Sequence, residues 1–190
     1  MPRLSDPRRD LSSTAASVRQ RPSSGTPGSR YLESAMTDGG VALITTVRDG
    51  VPNAMTASFF AESSHEPMLV RVAIAPTTLT HKLVREAGAF GISILACGQE
   101  HAALFCGAHT GRDVAKLDLL GMRWTVDSRG VVLLRDAFST CACQVVEEKE
   151  LPDHTLFTGE ITSGYRQTMQ AFRAPLLVSD LLARAHASRA

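Results

Sequence analysis

Aromatic residues are scarce in this chain, with one Trp, two Tyr and seven Phe among 190 residues. They do not interleave with basic side chains, so no stacking platform for nucleic acid is indicated. Charge of one sign is equally lacking: 20 Lys and Arg stand against 19 Asp and Glu, for a net charge of +1. No overall field draws the protein to nucleic acid or to a membrane surface, and any charge-driven binding must be local. No apolar run approaches the ~18 residues of a membrane-spanning helix, so a soluble protein is expected. Cysteine is limited to Cys97, Cys106, Cys141 and Cys143, and no signal-peptide pattern precedes them. Free thiols in a reducing, cytoplasmic compartment are the expectation. Internal repeats and the glycine-rich phosphate loops of Rossmann and Walker sites are also absent.

The first 30 residues are rich in Ser, Pro, Gly and Arg and have no apolar period, which predicts a disordered tail. Asp6 and Asp10 weigh against an organellar transit peptide. The rest has room for one core, placed at residues 31–178, with residues 179–190 as a C-terminal tail or helix. Leu176, Leu177, Val178, Leu181 and Leu182 suggest a dimer-facing element, because an interfacial membrane helix would carry more flanking cations.

Eight strands are expected: Val41 to Val47, Ala54 to Phe60, Met68 to Ile74, Phe90 to Leu95, Met122 to Val126, Val131 to Leu134, Ala137 to Glu147 and His154 to Ile161. Arg48-Asp49-Gly50 is a hairpin turn, and Ala75-Pro76 ends a strand because proline cannot donate to a ladder. Three short helices are expected: one capped by Thr80 and ended by Gly88, one from Glu100 stopped by Gly107, and one over Val114 to Leu120 capped by Asp113 and stopped by Gly121. Hairpin-linked strands with few helices point to a mainly β, antiparallel barrel or sandwich carrying helical insertions.

Chemistry concentrates in a few segments. Thr77, Thr78, Thr80, His81 and Lys82 lie at a helix start, where free amides and the macrodipole favour an anion. Cations in a first turn oppose that dipole unless something negative sits nearby, although a solvated, capped helix accounts for the same residues. Arg112 and Lys116, four apart, could clamp one phosphate from a shared helix face. Asn53 to Ser58 alternates small residues with hydroxyls, which would let a flat ring approach the backbone, as would an ordinary half-buried strand. His154 follows the Pro152-Asp153 turn at a strand start and points to a barrel mouth; taken alone it reads as structural before catalytic, since nothing in the sequence fixes its partner. Cys106, His109 and the other cysteines match no closed four-ligand metal pattern, and no nucleophile elbow supports a Ser-His-Asp triad.

These segments, in this order, resemble the flavin reductase-like split-barrel family. The residues that carry the likeness are Asn53-Ala-Met-Thr-Ala-Ser58, Glu66-Pro67, Pro76 with Thr80-His81, Cys106-Gly107 through Thr110-Gly-Arg-Asp-Val-Ala-Lys116, and Asp153-His154-Thr155 with Gly159-Glu160. The likeness extends from about Tyr31 to Ile161 and is nearest to the flavoredoxin-type branch. It implies an antiparallel, Greek-key-like FMN-binding split β-barrel that pairs as a homodimer. It implies FMN, or FAD as the alternative, with Met55, Thr56, Ala57 and Ser58 along the ring and Thr77, Thr78, Thr80, His81, Arg112 and Lys116 around the phosphate. His154 is the implied catalytic residue, beside the ring where NADH or NADPH stacks. Reduced flavin would then serve a monooxygenase or another electron-acceptor protein. An FMN-binding electron carrier without NAD(P)H turnover, and a structural homodimer with an empty pocket, are the alternatives. Two departures stand out: Ala54 replaces the glycine before Met-Thr, and the C-terminal segment lacks the aromatic and basic continuation seen in many reductases.

Overall fold

Val41 and Leu43 enter one buried cluster, whereas Ala42 and Ile44 enter another. Alternate strand residues point to opposite faces, so this unbroken apolar run belongs to a strand covered on both sides. The computed structural model describes residues 39–166 and 174–187, and the tail expected at residues 1–30 lies outside them. Strand β1 (Ala42–Arg48) reaches β2 (Val51–Ala57) through Asp49 and Gly50, both at positive φ. That backbone matches the twist of the paired strands and suits an Asp-Gly turn.

The remaining strands are β3 (Phe60–His65), β4 (Met68–Ile74), β5 (Ala89–Ile94), β6 (Trp124–Val126), β7 (Val132–Leu134), β8 (Ser139–Glu150) and β9 (Thr155–Arg166). Seven of them form one antiparallel sheet in the order β2-β1-β5-β8-β9-β4-β3. Consecutive β2 and β3 lie at opposite ends of that order, joined only by Ser58 and Phe59. The three Cα–Cα steps from Ala57 to Phe60 span at most ~11 Å, so the sheet must curl until its ends meet. At that seam the Ala73 amide donates to the Phe59 carbonyl at 2.9 Å. Strands β6 and β7 form a separate ribbon, held against the barrel by a 2.6 Å bond from the Thr45 hydroxyl to the Val132 carbonyl.

Four helices complete the chain: α1 (Leu79–Ala87), α2 (Glu100–Ala108), α3 (Lys116–Leu119) and α4 (Val178–Ala187). One core, including Ala42, Ile44, Val72, Phe90 and Phe157, lies within the barrel. A second, including Leu43, Ala54, Ala103, Leu117 and Val132, lies between the outer sheet face and the helices and ribbon. Among the described residues no helix is long and apolar enough to cross a membrane.

The mainly β, antiparallel expectation holds, with local corrections. Strand β3 was not expected, because its sequence FAESSH lies at a sheet end, is largely solvent-facing and carries no apolar alternation. Thr78, not Thr80, caps α1: its hydroxyl accepts the His81 amide at 3.2 Å. Gly107 lies inside α2, whose last carbonyls are followed by His109. Helix α3 begins only at Lys116, without a side-chain cap, so Asp113 caps nothing there. Gly88 and Gly121 are left-handed, consistent with their roles as helix stops.

Leu176 is fully buried between β1 and β5: its carbonyl accepts from Val41 and its amide donates to Leu95, both at 2.8 Å. Val178 and Leu181 pack on the same core, so part of this apolar stretch is used within the chain, while Leu182 stays 45% exposed on α4. His81, expected at a phosphate, instead turns into the barrel. It is 2.8 Å from the Thr155 hydroxyl and edge-on to Phe157. Burial holds its imidazole below the ordinary histidine value of 6.5, aided by Arg85 and opposed by Glu148 and Glu150.

Leu176→Ala should lower unfolding free energy by about 2–5 kcal/mol in a urea titration, through lost apolar burial and a residual cavity. For His81 the unfolded chain is the better proton acceptor, so its contribution to stability is complete above about pH 6.5 and declines as pH falls through the folded-state value. The urea midpoint should therefore fall between pH 7.5 and pH 5 by less in His81→Gln than in wild type.

Candidate functional site

Strand β2 has a neighbour on one side only, because it ends the sheet order. Its other edge faces α2, α3 and the loop between them. The Ala54 carbonyl on this edge accepts a 2.6 Å bond from the Lys116 ammonium, which also donates to the Cys106 carbonyl at 3.1 Å. In a strand the N–H and C=O of one residue point the same way and reverse at the next residue, so the backbone of Thr56 shares this free edge. The Thr56 hydroxyl itself donates to the Ala103 carbonyl at 2.6 Å, tying β2 to α2.

A cavity of about 240 Å³ opens between β2, the start of α1 and the chain from Cys106 to Arg112. Thr77, Thr78, Thr80, Arg112 and Lys116 line it, so five of the six residues expected around a phosphate share one space. Among the described residues no carboxylate lines it. The amides of Leu79 and Thr80 have no intrahelical acceptor by their position in α1, and no acidic residue occupies its first turn. Lys116 is only 3% exposed, and burial holds its ammonium below the ordinary lysine value. Its nearest titratable neighbour, the Cys106 thiol, is pushed up to about 11 by its own burial. The thiol therefore stays neutral near pH 7, and the buried cation has no anionic protein partner among the described residues.

Arg112 is exposed, and among the described residues it has no carboxylate partner. It precedes α3, which begins only at Lys116, so Arg112 and Lys116 line one cavity without sharing a helix face. Its loop is anchored by the Arg48 guanidinium, which donates to the Gly111 carbonyl at 3.2 Å. Gly111 has no substitute at this position: an added Cβ would stand 2.0 Å from the Asn53 side-chain oxygen.

A second cavity, of about 320 Å³, runs along β2 and shares Met55, Thr78 and Gly107 with the first. Met55, Thr56, Ala57 and Ser58 form its floor, and His154 lies at its side with Phe59. The His154 Nδ1 is 3.0 Å from the Asp153 carboxylate, and its ring meets Phe59 edge-on at 5.9 Å. The structure thus brings His154 to the strand expected to carry a ring, leaving His81 as the one expected site residue whose side chain lies elsewhere.

A larger hollow, about 700 Å³, is lined by residues of β3, β4, β5, β8 and β9, among them Phe60, Met68, Ile94 and Tyr165, with Glu62 and no cation. Its composition does not suit an anion, despite its size. Among the described residues no group of three His, Cys, Asp or Glu could hold a metal.

Asn53, Gly107, Gly111 and His109 also line the first cavity, although sequence reasoning gave none of them a place around the phosphate. A buried asparagine within an otherwise small and apolar strand was the available signal. The others became visible only once α2 and its following loop were placed against β2.

Comparison with known proteins agrees with this geometry. The chain is 38% identical over 127 residues to an NADH-dependent flavin reductase of a Rhodococcus species, covering 64% of this chain and 67% of that protein. The chain spans about two thirds of the length of the curated relatives it matches. The solved NADH:FAD oxidoreductase of Streptomyces globisporus superposes with a TM-score of 0.68 at 28% identity, covering 80% of this chain and 90% of that one. Flavoredoxin of Methanosarcina acetivorans shares the fold, with a TM-score of 0.65 at 21% identity over 70% of this chain and 72% of that one. Residues 35–181, which include both cavities and the whole barrel, match the flavin reductase-like domain, and the chain belongs to that family.

Proposed function

We propose that this protein is an NADH-dependent flavin reductase that binds FMN, with FAD as the alternative, and releases reducing equivalents to a partner. The observation that carries the proposal is a cavity holding a buried, carboxylate-free ammonium, a second cation and a helix N-terminus, joined to a groove along a free strand edge. A phosphate beside Thr77, Thr78, Thr80, Arg112 and Lys116 would meet donors from every side, and charge-assisted bonds are the strong ones. A planar ring in the adjoining groove would lie on Met55 to Ser58 and could take hydrogen bonds from the Thr56 backbone. Bound flavin would supply the hydride-accepting chemistry.

The protein's own task is then to position and to exclude. Met55 and Ala57 offer a flat, small-featured floor, and His154 and Phe59 limit the space above it, where a nicotinamide could stack. Asp153 holds the His154 ring in orientation, which makes His154 the residue expected to contact the hydride donor. Lys116 and the helix amides supply fixed positive potential toward a ring that gains negative charge on reduction. Hydride transfer between stacked rings requires no acid–base step, so the Asp153–His154 pair is assigned to positioning.

The NADH preference is supported by the relatives' names, as is an oxygenase partner, since a matching protein of Rhodococcus jostii is the reductase subunit of a flavin-dependent monooxygenase. Four thiols that form no disulfide fit a reducing cytoplasm, where NADH is available. A second copy of the chain would fit the large apolar hollow, where Met68 is 50% exposed.

Two measurements test this reading. Arg112→Ala should weaken FMN binding by about 1–3 kcal/mol in a fluorescence titration, through loss of a charge-assisted bond; unchanged affinity would remove the phosphate from this cavity. Anaerobic mixing of the FMN-loaded protein with NADH should bleach the visible flavin band, and His154→Ala should slow the bleaching while leaving FMN affinity within about threefold. A protein that binds FMN and never bleaches is a carrier, not a reductase. For the assembly, Met68→Glu should convert a dimer to monomer in sedimentation, whereas a wild-type monomer would refute pairing.

A further inference from the structure

We propose that Asn53 is a positioning residue that sets the proton polarity of the anion cavity, making the Thr80 hydroxyl a donor toward a bound phosphate. The proposal rests on the flavin reading above and extends it to a residue outside the phosphate's immediate shell. The Asn53 carboxamide is 3% exposed, and its Nδ2 donates to the Thr46 hydroxyl at 3.1 Å and to the Thr80 hydroxyl at 3.0 Å. Both amide hydrogens are thereby used. The Oδ1 has no hydrogen-bond partner and faces the bare Cα of Gly111, where an added Cβ would stand only 2.0 Å away.

This orientation is the one the surroundings favour. Turned over, the amide would press its N–H donors toward the Gly111 Cα, which cannot accept, and a buried donor left unpaired is costly. A carbonyl oxygen against a glycine Cα gains at least a weak C–H···O contact. The consequence passes to Thr80. A hydroxyl has one proton and two lone pairs, and at Thr80 a lone pair already accepts from Asn53. Its proton has no protein acceptor among the described residues, the residue is 2% exposed, and it lines the cavity. An acceptor entering the cavity is the partner that proton calls for, and a phosphate oxygen supplies it.

Aspartate has the shape of asparagine and the opposite polarity. The carboxylate introduced by Asn53→Asp can only accept, so Thr80 would turn its proton toward residue 53 and present lone pairs to the anion. The discriminating probes are FMN and riboflavin, which share a ring and a ribityl chain and differ by the phosphate.

Fluorescence titrations of the intact protein with both ligands measure the preference. Wild type should favour FMN. Asn53→Asp should cut FMN affinity by roughly tenfold or more, the scale of a hydrogen bond to a charged group, with riboflavin affinity held within about threefold. Thr80→Val should also erode the FMN preference, and Thr80→Ser should restore it. In a Thr80→Val background, Asn53→Asp should cost FMN much less than it does alone, because the hydroxyl through which it acts is gone.

Retention of the FMN preference in Asn53→Asp would overturn the proposal. So would an undiminished Asn53→Asp effect in the Thr80→Val background, which would mean that charge alone is acting. Should Asn53→Asp fail to fold, as judged by far-UV circular dichroism, Thr80→Val and Thr80→Ser decide: a full FMN preference in Thr80→Val sinks the idea. Failure of the flavin reading is a separate result, since wild type would then bind neither ligand, or both equally.

Discussion

The ammonium of Lys116, held between the carbonyls of Ala54 and Cys106, is the contact on which the site depends. Removing a cation from water costs several kcal/mol even after relaxation, and here no carboxylate offsets it. The two carbonyls do so in part, and both are available for topological reasons. Ala54 lies on an end strand whose outer edge lacks a neighbour. Cys106 is in the last turn of α2, where carbonyls have no intrahelical donor. One side chain therefore fastens the barrel edge to the helical layer. It also answers an electrostatic conflict. Two helix ends meet at the cavity: the start of α1, which attracts an anion, and the end of α2, which repels one. Lys116 covers the repelling end and leaves the attracting end exposed to the cavity.

The same arrangement explains why small residues collect here. Gly107 and Gly111 flank the cavity, and Ala54 and Ala57 punctuate β2, so the helical layer approaches the strand closely without filling the groove. Gly111 is a steric requirement of the Asn53 amide, not of its own backbone angles. Asn53 in turn joins β1 through Thr46, α1 through Thr80 and the Arg112 loop through Gly111. Two directed bonds from a buried amide, with a steric stop on its third side, fix the relative positions of these segments more closely than apolar packing alone.

Much of the fold was legible because the relevant signals are local. The β-branched apolar run of β1 and the Asp-Gly turn identified a hairpin, and Pro76 marked the exit from β4. Strand β3 was illegible, since an exposed end strand needs no apolar face; its pairing is dictated by β4 and by the seam. Helix α3 was overextended because Asp113 and Gly121 have the chemistry of a cap and a stop, yet the chain first turns to bring Arg112 to the cavity. In the site, hydroxyls and cations at the start of α1 were visible as types, but the direction of each side chain was not. His81 sits on the side of α1 that faces the barrel, and only the sheet's curvature decides that it meets Thr155 and Phe157. Lys116 was recognised as a cation, but its second role as a strap required a carbonyl 62 residues away.

The closure of the barrel bears directly on the chemistry proposed for it. Phe59 belongs to the two-residue link between β2 and β3, and its carbonyl receives the Ala73 amide that seals the seam. Its ring also contacts His154 at the start of β9, so the residue beside the groove is positioned by the same link that closes the sheet. Hydride transfer between stacked rings depends steeply on their separation, and a misplacement of about 1 Å can cost two orders of magnitude. A groove whose floor is β2 and whose side is set by the β2–β3 link has little freedom to widen while the barrel stays closed. A closed seam would therefore serve the proposed turnover as well as the fold, because it sets the distance between floor and side without calling on acid–base chemistry.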